Sequence, residues 1–134
     1  MTDQPKRKPR ILIVDDYQTF ADSLSLILNQ NGCEAAAVYS GEEAIQAAPG
    51  LNPDVLISDV IMDGMTGIEA AILIGRTLPG CEIVLISGQH ATADLLENAR
   101  LQGHAFEVLP KPFHPQLLLD RLNGQAVPEE EWPG

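Results

Sequence analysis

A chain of 134 residues, 45% hydrophobic but only 4% aromatic, suits one domain with an aliphatic core and is too apolar to be disordered. Its net charge of −11 is uneven: four of the eight basic residues lie in the first ten positions, and from Ile11 onward four basic residues face 18 acidic ones. Such a body repels nucleic acid, and no apolar run approaches the ~20 residues of a membrane span or supplies the core of a secretory signal, so neither a nucleic-acid nor a membrane partner is expected and the expected address is cytoplasmic.

Along the chain, short aliphatic runs alternate with helical spacing. Residues 10–14 read as a strand ending in Asp15-Asp16. Phe20, Leu24, Ile27 and Leu28 then mark one helix face, stopped by Asn31-Gly32. A second strand is expected over 34–39. Ser40-Gly41-Glu42-Glu43 opens a helix expected to stop near Pro49-Gly50. The buried strand 54–58 is closed by Asp59, and a helix over 67–78 ends at Pro79-Gly80. Strand 82–86 leads to Ser87-Gly88, helix 91–101 to Gly103, strand 106–109 to Lys111, and helix 115–122 comes last. Residues 1–8 read as a flexible basic arm, 9–123 as the domain and 124–134 as an acidic, Pro-rich tail. The arm could be a weak nucleic-acid tail, but a solvated lead-in to the first strand is the plainer reading.

Strands with nearly continuous apolar runs, alternating with helices, imply a parallel sheet covered on both faces. Right-handed crossovers then give an α/β, doubly wound, flavodoxin-like fold: five parallel strands in the order 2-1-3-4-5 with five helices. In such folds sites form beyond the carboxyl ends of the strands. Asp15, Asp16, Asp59, Ser87 and Lys111 all fall there. Taken singly, each has a plain structural reading: Asp15 and Asp16 as helix caps, Asp59 and Ser87 as turn residues, Lys111 as a solvated lysine. Those readings do not explain why three acids, a hydroxyl and a lysine share one end of the sheet.

The chemistry such a set allows is phosphoryl transfer to a carboxylate. A carboxylate can act as nucleophile and form an aspartyl phosphate. Attack by an anion on an anionic donor needs positioning and charge neutralisation more than covalent help. Clustered carboxylates suit Mg²⁺, which prefers hard oxygen ligands, and a lysine and a hydroxyl can bond the transferred oxygens. Asp59 is the expected nucleophile, Asp16 the leading metal ligand, and Asp15 a ligand directly or through water.

At this point the chain resembles the receiver domain of bacterial two-component response regulators, over about residues 9–123. The resemblance rests on five pieces in order: residues 11–16, residues 54–59, Met62 to Gly67, Ile86-Ser87-Gly88 and Lys111-Pro112-Phe113. It implies that the backbone carbonyl of Ile61 is a further metal ligand, that Lys111 pairs with the phosphoryl group, and that Ser87 bonds it and shifts when it arrives. It implies a proline after a cis peptide at Pro112. It implies a histidine kinase or phosphotransfer protein as donor and an output partner that the sequence does not identify. Catalysis would extend at most to the protein's own phosphorylation and dephosphorylation. Because the chain stops soon after the last helix, a stand-alone receiver without an output domain is expected.

Two rival readings share parts of the pattern. A small haloacid-dehalogenase-like phosphatase would need an acid two residues after the nucleophile, where Ile61 stands. A degenerate receiver, acting as an unphosphorylated binding module, would not need the full set of five residues. Cys33 and Cys81 lack any metal or disulfide spacing and read as buried thiols, and His90, His104 and His114 as loop or surface residues. Two positions depart from the resembled family. Asp63 stands where proline is common. Val108 stands three residues before Lys111, where a Tyr or Phe usually reports the state of the site. Strand period puts Phe106 on the same face as Val108.

Overall fold

The computed structural model describes residues 7–88 and 92–126. The arm up to Lys6, Gln89, His90, Ala91 and the tail from Val127 lie outside the described residues.

The elements are β1 (Arg10–Val14), α1 (Gln18–Gln30), β2 (Glu34–Val38), α2 (Gly41–Leu51), β3 (Val55–Asp59), α3 (Gly67–Thr77), β4 (Glu82–Ser87), α4 (Thr92–Leu101), β5 (Glu107–Pro110) and α5 (Pro115–Ala126). All strand pairs are parallel, in the order β2-β1-β3-β4-β5. The strand period sorts the core into two layers. Ile11, Ile13, Val55, Ile57, Val84 and Ile86 point to one face and pack under α1 and α5. Leu12, Val14, Leu56 and Leu85 point to the other and pack under α2, α3 and α4. Central strands buried on both faces are what near-continuous aliphatic runs build.

Local chemistry sets the helix ends. Ser40 caps α2 by accepting from Glu43 N, and Thr66 and Glu69 form a reciprocal capping box at α3. The helix expected to stop near Pro49 instead runs through it to Leu51, where Asn52 turns the chain in the left-handed region at φ 49°. Pro49 lacks the N–H that would bond the Ile45 carbonyl, yet the helix carries on past it to Leu51. The edge strand β2 is closed by a side chain of α1: Asn29 accepts from Ala35 N at 2.8 Å and donates to Ala35 O at 3.0 Å. That amide occupies the outward backbone groups of Ala35, two of those through which a foreign strand would pair.

The arm is not free at its described end. The Arg7 guanidinium makes two bonds of 2.7 Å to the Asp54 carboxylate, which also accepts from Arg10 N. Among the described residues no helix is long and apolar enough to cross a membrane. Cys33 and Cys81 are buried free thiols; burial pushes Cys81 up to about 11.

Candidate functional site

The strand register decides which polar residues meet. Val14 pairs with Ser58, and Asp59 pairs with Ile86, so the residues just past β1, β3 and β4 come out on one level at the carboxyl end of the sheet. Asp15 follows β1 and is buried at 1% exposure, while Asp16 is exposed. Asp59 is the last residue of β3 and is half-buried. Ser87 closes β4, and its carbonyl accepts from Lys111 N at 2.8 Å, which ties the two flanking loops together. Ile61 lies in the loop after Asp59, with 37% of its surface exposed.

The helix-cap reading of the two acids covers little of this. The N-cap of α1 is Tyr17, with no side-chain cap bond. Asp15 Oδ1 accepts from Tyr17 N at 2.9 Å, but its other oxygen, Oδ2, accepts from Lys111 Nζ at 3.1 Å. Asp16 Oδ2 instead accepts from the backbone N of Asp63 at 3.1 Å, across to the loop after β3. Asp63 thus contributes its main chain to the pocket while its side chain is exposed.

One carboxylate oxygen from each of Asp15, Asp16 and Asp59 lies within 4.8 Å of the others. Three hard oxygen donors so placed fit a Mg²⁺-like cation, which coordinates one or two carboxylates and keeps waters for the rest. Lys111 Nζ stands 3.9 Å from Asp59 Oδ2. Burial first, and the charge of Asp15 second, push the Asp59 carboxyl up to about 6, with Lys111 pulling the other way. Among the described carboxyls with a resolved shift, this is the one raised above its ordinary range, whereas that of Asp54 is lowered. The Lys111–Pro112 peptide is cis.

Two contributors escape a reading of sequence alone. A Cβ at Gly67 would lie 1.9 Å from the carbonyl oxygen of Asp59, so the first turn of α3 packs directly on the backbone of the acid and only glycine fits. Phe20, legible only as a core residue of α1, places its ring under Lys111 Nζ at 4.5 Å from the centroid. An aromatic in the first turn after the acid pair, in a chain with three phenylalanines, was the available signal.

A five-stranded doubly wound sheet with an acidic cluster and a lysine beyond its carboxyl edge is the architecture of a receiver-type signalling module. Residues 11–123 match the response regulator receiver domain family, and the chain belongs to it. It is 30% identical over 126 residues to the DNA-binding response regulator MtrA of Mycolicibacterium smegmatis, covering 94% of this chain and 54% of that protein. It is 39% identical over 111 residues to a response regulator receiver protein of an Anaeromyxobacter species, covering 83% of this chain and 46% of the relative. Among solved structures, the chemotaxis protein CheY4 of Vibrio cholerae aligns with a TM-score of 0.76 at 28% identity, over 87% of this chain and 98% of that one. A CheY-like receiver domain protein from Methanospirillum hungatei aligns at TM-score 0.78 and 24% identity, over 89% and 94% of the two chains, and speaks for the fold alone.

These relatives correct one expectation. Absence of a nucleic-acid partner does not hold for the family branch this chain matches, because MtrA relatives aligned over 94% of the chain are DNA-binding regulators. Net charge of one domain describes that domain's own surface and not the partners of a longer protein. The chain spans about half the length of the curated relatives it matches, so its last residue says nothing about an output domain.

Proposed function

We propose that Asp59 accepts a phosphoryl group from a histidine kinase or a histidine phosphotransfer protein, and that the modified domain presents an altered surface to a partner. The observation that carries this reading is the convergence of the Asp15, Asp16 and Asp59 carboxylates within 4.8 Å, with Lys111 Nζ 3.9 Å from Asp59.

In the transfer, an oxygen of Asp59 forms the new bond to phosphorus as the bond from phosphorus to the donor nitrogen breaks, and the leaving imidazole keeps the electron pair and takes a proton from water. A small donor such as acetyl phosphate would lose its P–O bond in the same way. Asp59 must be ionised to attack, and a carboxyl at about 6 is mostly so at neutral pH. Lys111, 3.1 Å from Asp15 and 3.9 Å from Asp59, would leave part of its contact with Asp15 and pair with a phosphoryl oxygen. Ser87 would donate a further hydrogen bond from the end of β4. Asp15, Asp16, Asp59 and the carbonyl of Ile61 would hold Mg²⁺, which supplies positive charge against the crowded oxygens.

The test is incubation with acetyl phosphate and Mg²⁺, followed by peptide mapping. One added phosphoryl group on Asp59, absent without Mg²⁺ and absent in Asp59→Asn, is expected. Label on another residue, or full labelling of Asp59→Asn, rejects the assignment. A protein that takes no label at all is a degenerate receiver acting as a binding module.

A further inference from the structure

We infer that Phe20 is a positioning residue for Lys111: its ring forms the third wall of the seat that keeps the ammonium within reach of Asp59. This rests on the phosphoacceptor reading of the site and goes beyond it, since no part of that reading requires an aromatic in α1.

Lysine is a flexible stem with a compact charge, so its position is set by what surrounds the ammonium. Lys111 Nζ is 3.1 Å from Asp15 Oδ2, a direct ion pair, but 3.9 Å from Asp59 Oδ2, outside hydrogen-bond distance. Two carboxylates alone would draw the ammonium onto the nearer, fully buried Asp15. The Phe20 ring lies under Nζ at 4.5 Å from its centroid, within the range where the negative face of the ring attracts a cation. The attraction costs no carboxylate oxygen, so it holds Lys111 without competing for the metal or the incoming phosphoryl group. The lysine side chain is 26% exposed, so the contact is only partly screened by water.

The ring is itself held. Phe20 meets Phe113 edge-on, with centroids 6.2 Å apart and planes at 89°, an arrangement aromatic pairs favour. Both rings pack against the core layer under α1 and α5. Phe20 comes from the first turn of α1, just past Asp15-Asp16, and Phe113 follows Lys111 on the way into α5. The aromatic pair therefore couples the acid-bearing end of β1 to the lysine-bearing end of β5. Gly88, just past β4, also lies beside the stem: a Cβ there would come within 3.4 Å of Lys111 Cβ and Cδ.

Phe20→Leu keeps an apolar filler and removes the π face, while Phe20→Tyr keeps the face. The first measurement is side-chain NMR of the full chain without Mg²⁺. The Lys111 ε-methylene protons should be shifted upfield by the ring in wild type and in Phe20→Tyr, and should return to the ordinary lysine position in Phe20→Leu. The second is the rate of Asp59 labelling by acetyl phosphate with Mg²⁺, on protein whose melting curve shows it folded. Phe20→Leu should label about 3- to 10-fold more slowly, the range for an ammonium–ring contact in a partly open pocket, and Phe20→Tyr should restore the rate. Folded Phe20→Leu that labels Asp59 at the wild-type rate, or a Lys111 signal unshifted in wild type, overturns the role of Phe20. A wild type that takes no label overturns the phosphoacceptor reading instead, and with it the purpose of the seat.

Discussion

Asp54 and Asp59 bracket β3 and meet opposite electrostatic environments. The Arg7 guanidinium, bonded twice at 2.7 Å, holds the Asp54 carboxyl below its ordinary 3.8, with Arg10 N adding a third bond against the cost of partial burial. At Asp59, burial and the neighbouring Asp15 carry the carboxyl up to about 6. The low value at Asp54 has a definite consequence for stability. A carboxyl whose folded value is depressed stabilises fully above its unfolded value and loses that contribution as pH falls through the folded one. Both partners are substantially exposed, at 53% and 32%, so the pair is worth only about 0.5–1 kcal/mol. Arg7→Ala should lose that amount at pH 7 and match wild type once the pH has fallen through the depressed Asp54 value, measured by urea unfolding across pH. A deficit that persists undiminished in acid would show that Arg7 acts through packing and not through the ion pair.

Elements were legible wherever one local rule dominated. The aliphatic runs and their turn residues mark all five strands, and the acids at their carboxyl ends are visible because the doubly wound topology gives those ends a meaning. What required the structure were features decided by partners far away in sequence. Pro49 reads as a stop, yet α2 continues to Leu51 and is ended by Asn52 in the left-handed region. Phe20 shows a helix period but not that Lys111 lies over it. Val108 illustrates a third case. It pairs with Leu85 and packs with Phe106 against the layer under α2, α3 and α4, so the two residues do share a face. Phe106 precedes β5, which begins at Glu107, and its ring stacks on His104 at 6.4 Å. With a stiff valine three residues before Lys111 and the half-buried Phe106 ring already packed against the core layer, phosphorylation of Asp59 should reshape the α4–β5–α5 face by moving Ser87 and α4, without an aromatic flip. Structures with and without a beryllium fluoride mimic on Asp59 decide this. A ring from the β5 region swinging from solvent into the space behind Ser87 is the contrary result.

At the scale of the molecule, the sheet concentrates unlike costs at its two ends. Arg7 and Arg10 meet Asp54 and Glu34 at the amino end, whereas three carboxylates face one lysine at the carboxyl end. The carboxyl end is therefore destabilised by the same arrangement that serves the site, a trade common where function requires crowded charge. The cost at Asp59 follows from its carboxyl standing at about 6 instead of 3.8. Taken at face value that difference is about 3 kcal/mol, and the open mouth of the pocket reduces it to about 1–2 kcal/mol at pH 7. The sign is that of a raised acid: the folded state holds its proton more tightly, so the penalty is absent below the ordinary 3.8 and complete above about 6. In chelator at pH 7, Asp59→Asn should thus melt about 3–8 °C above wild type, and the gap should close toward pH 4. A bound cation relieves the same repulsion and adds stability by mass action, about 2.7 kcal/mol at a hundredfold excess over its Kd. Titrating Mg²⁺ should therefore raise the melting temperature of wild type and do so much less for Asp16→Asn, which has lost one of the three clustered carboxylates. Equal Mg²⁺ shifts for the two proteins would place the cation elsewhere, and an Asp59→Asn variant no more stable than wild type in chelator would mean that the crowding carries no cost.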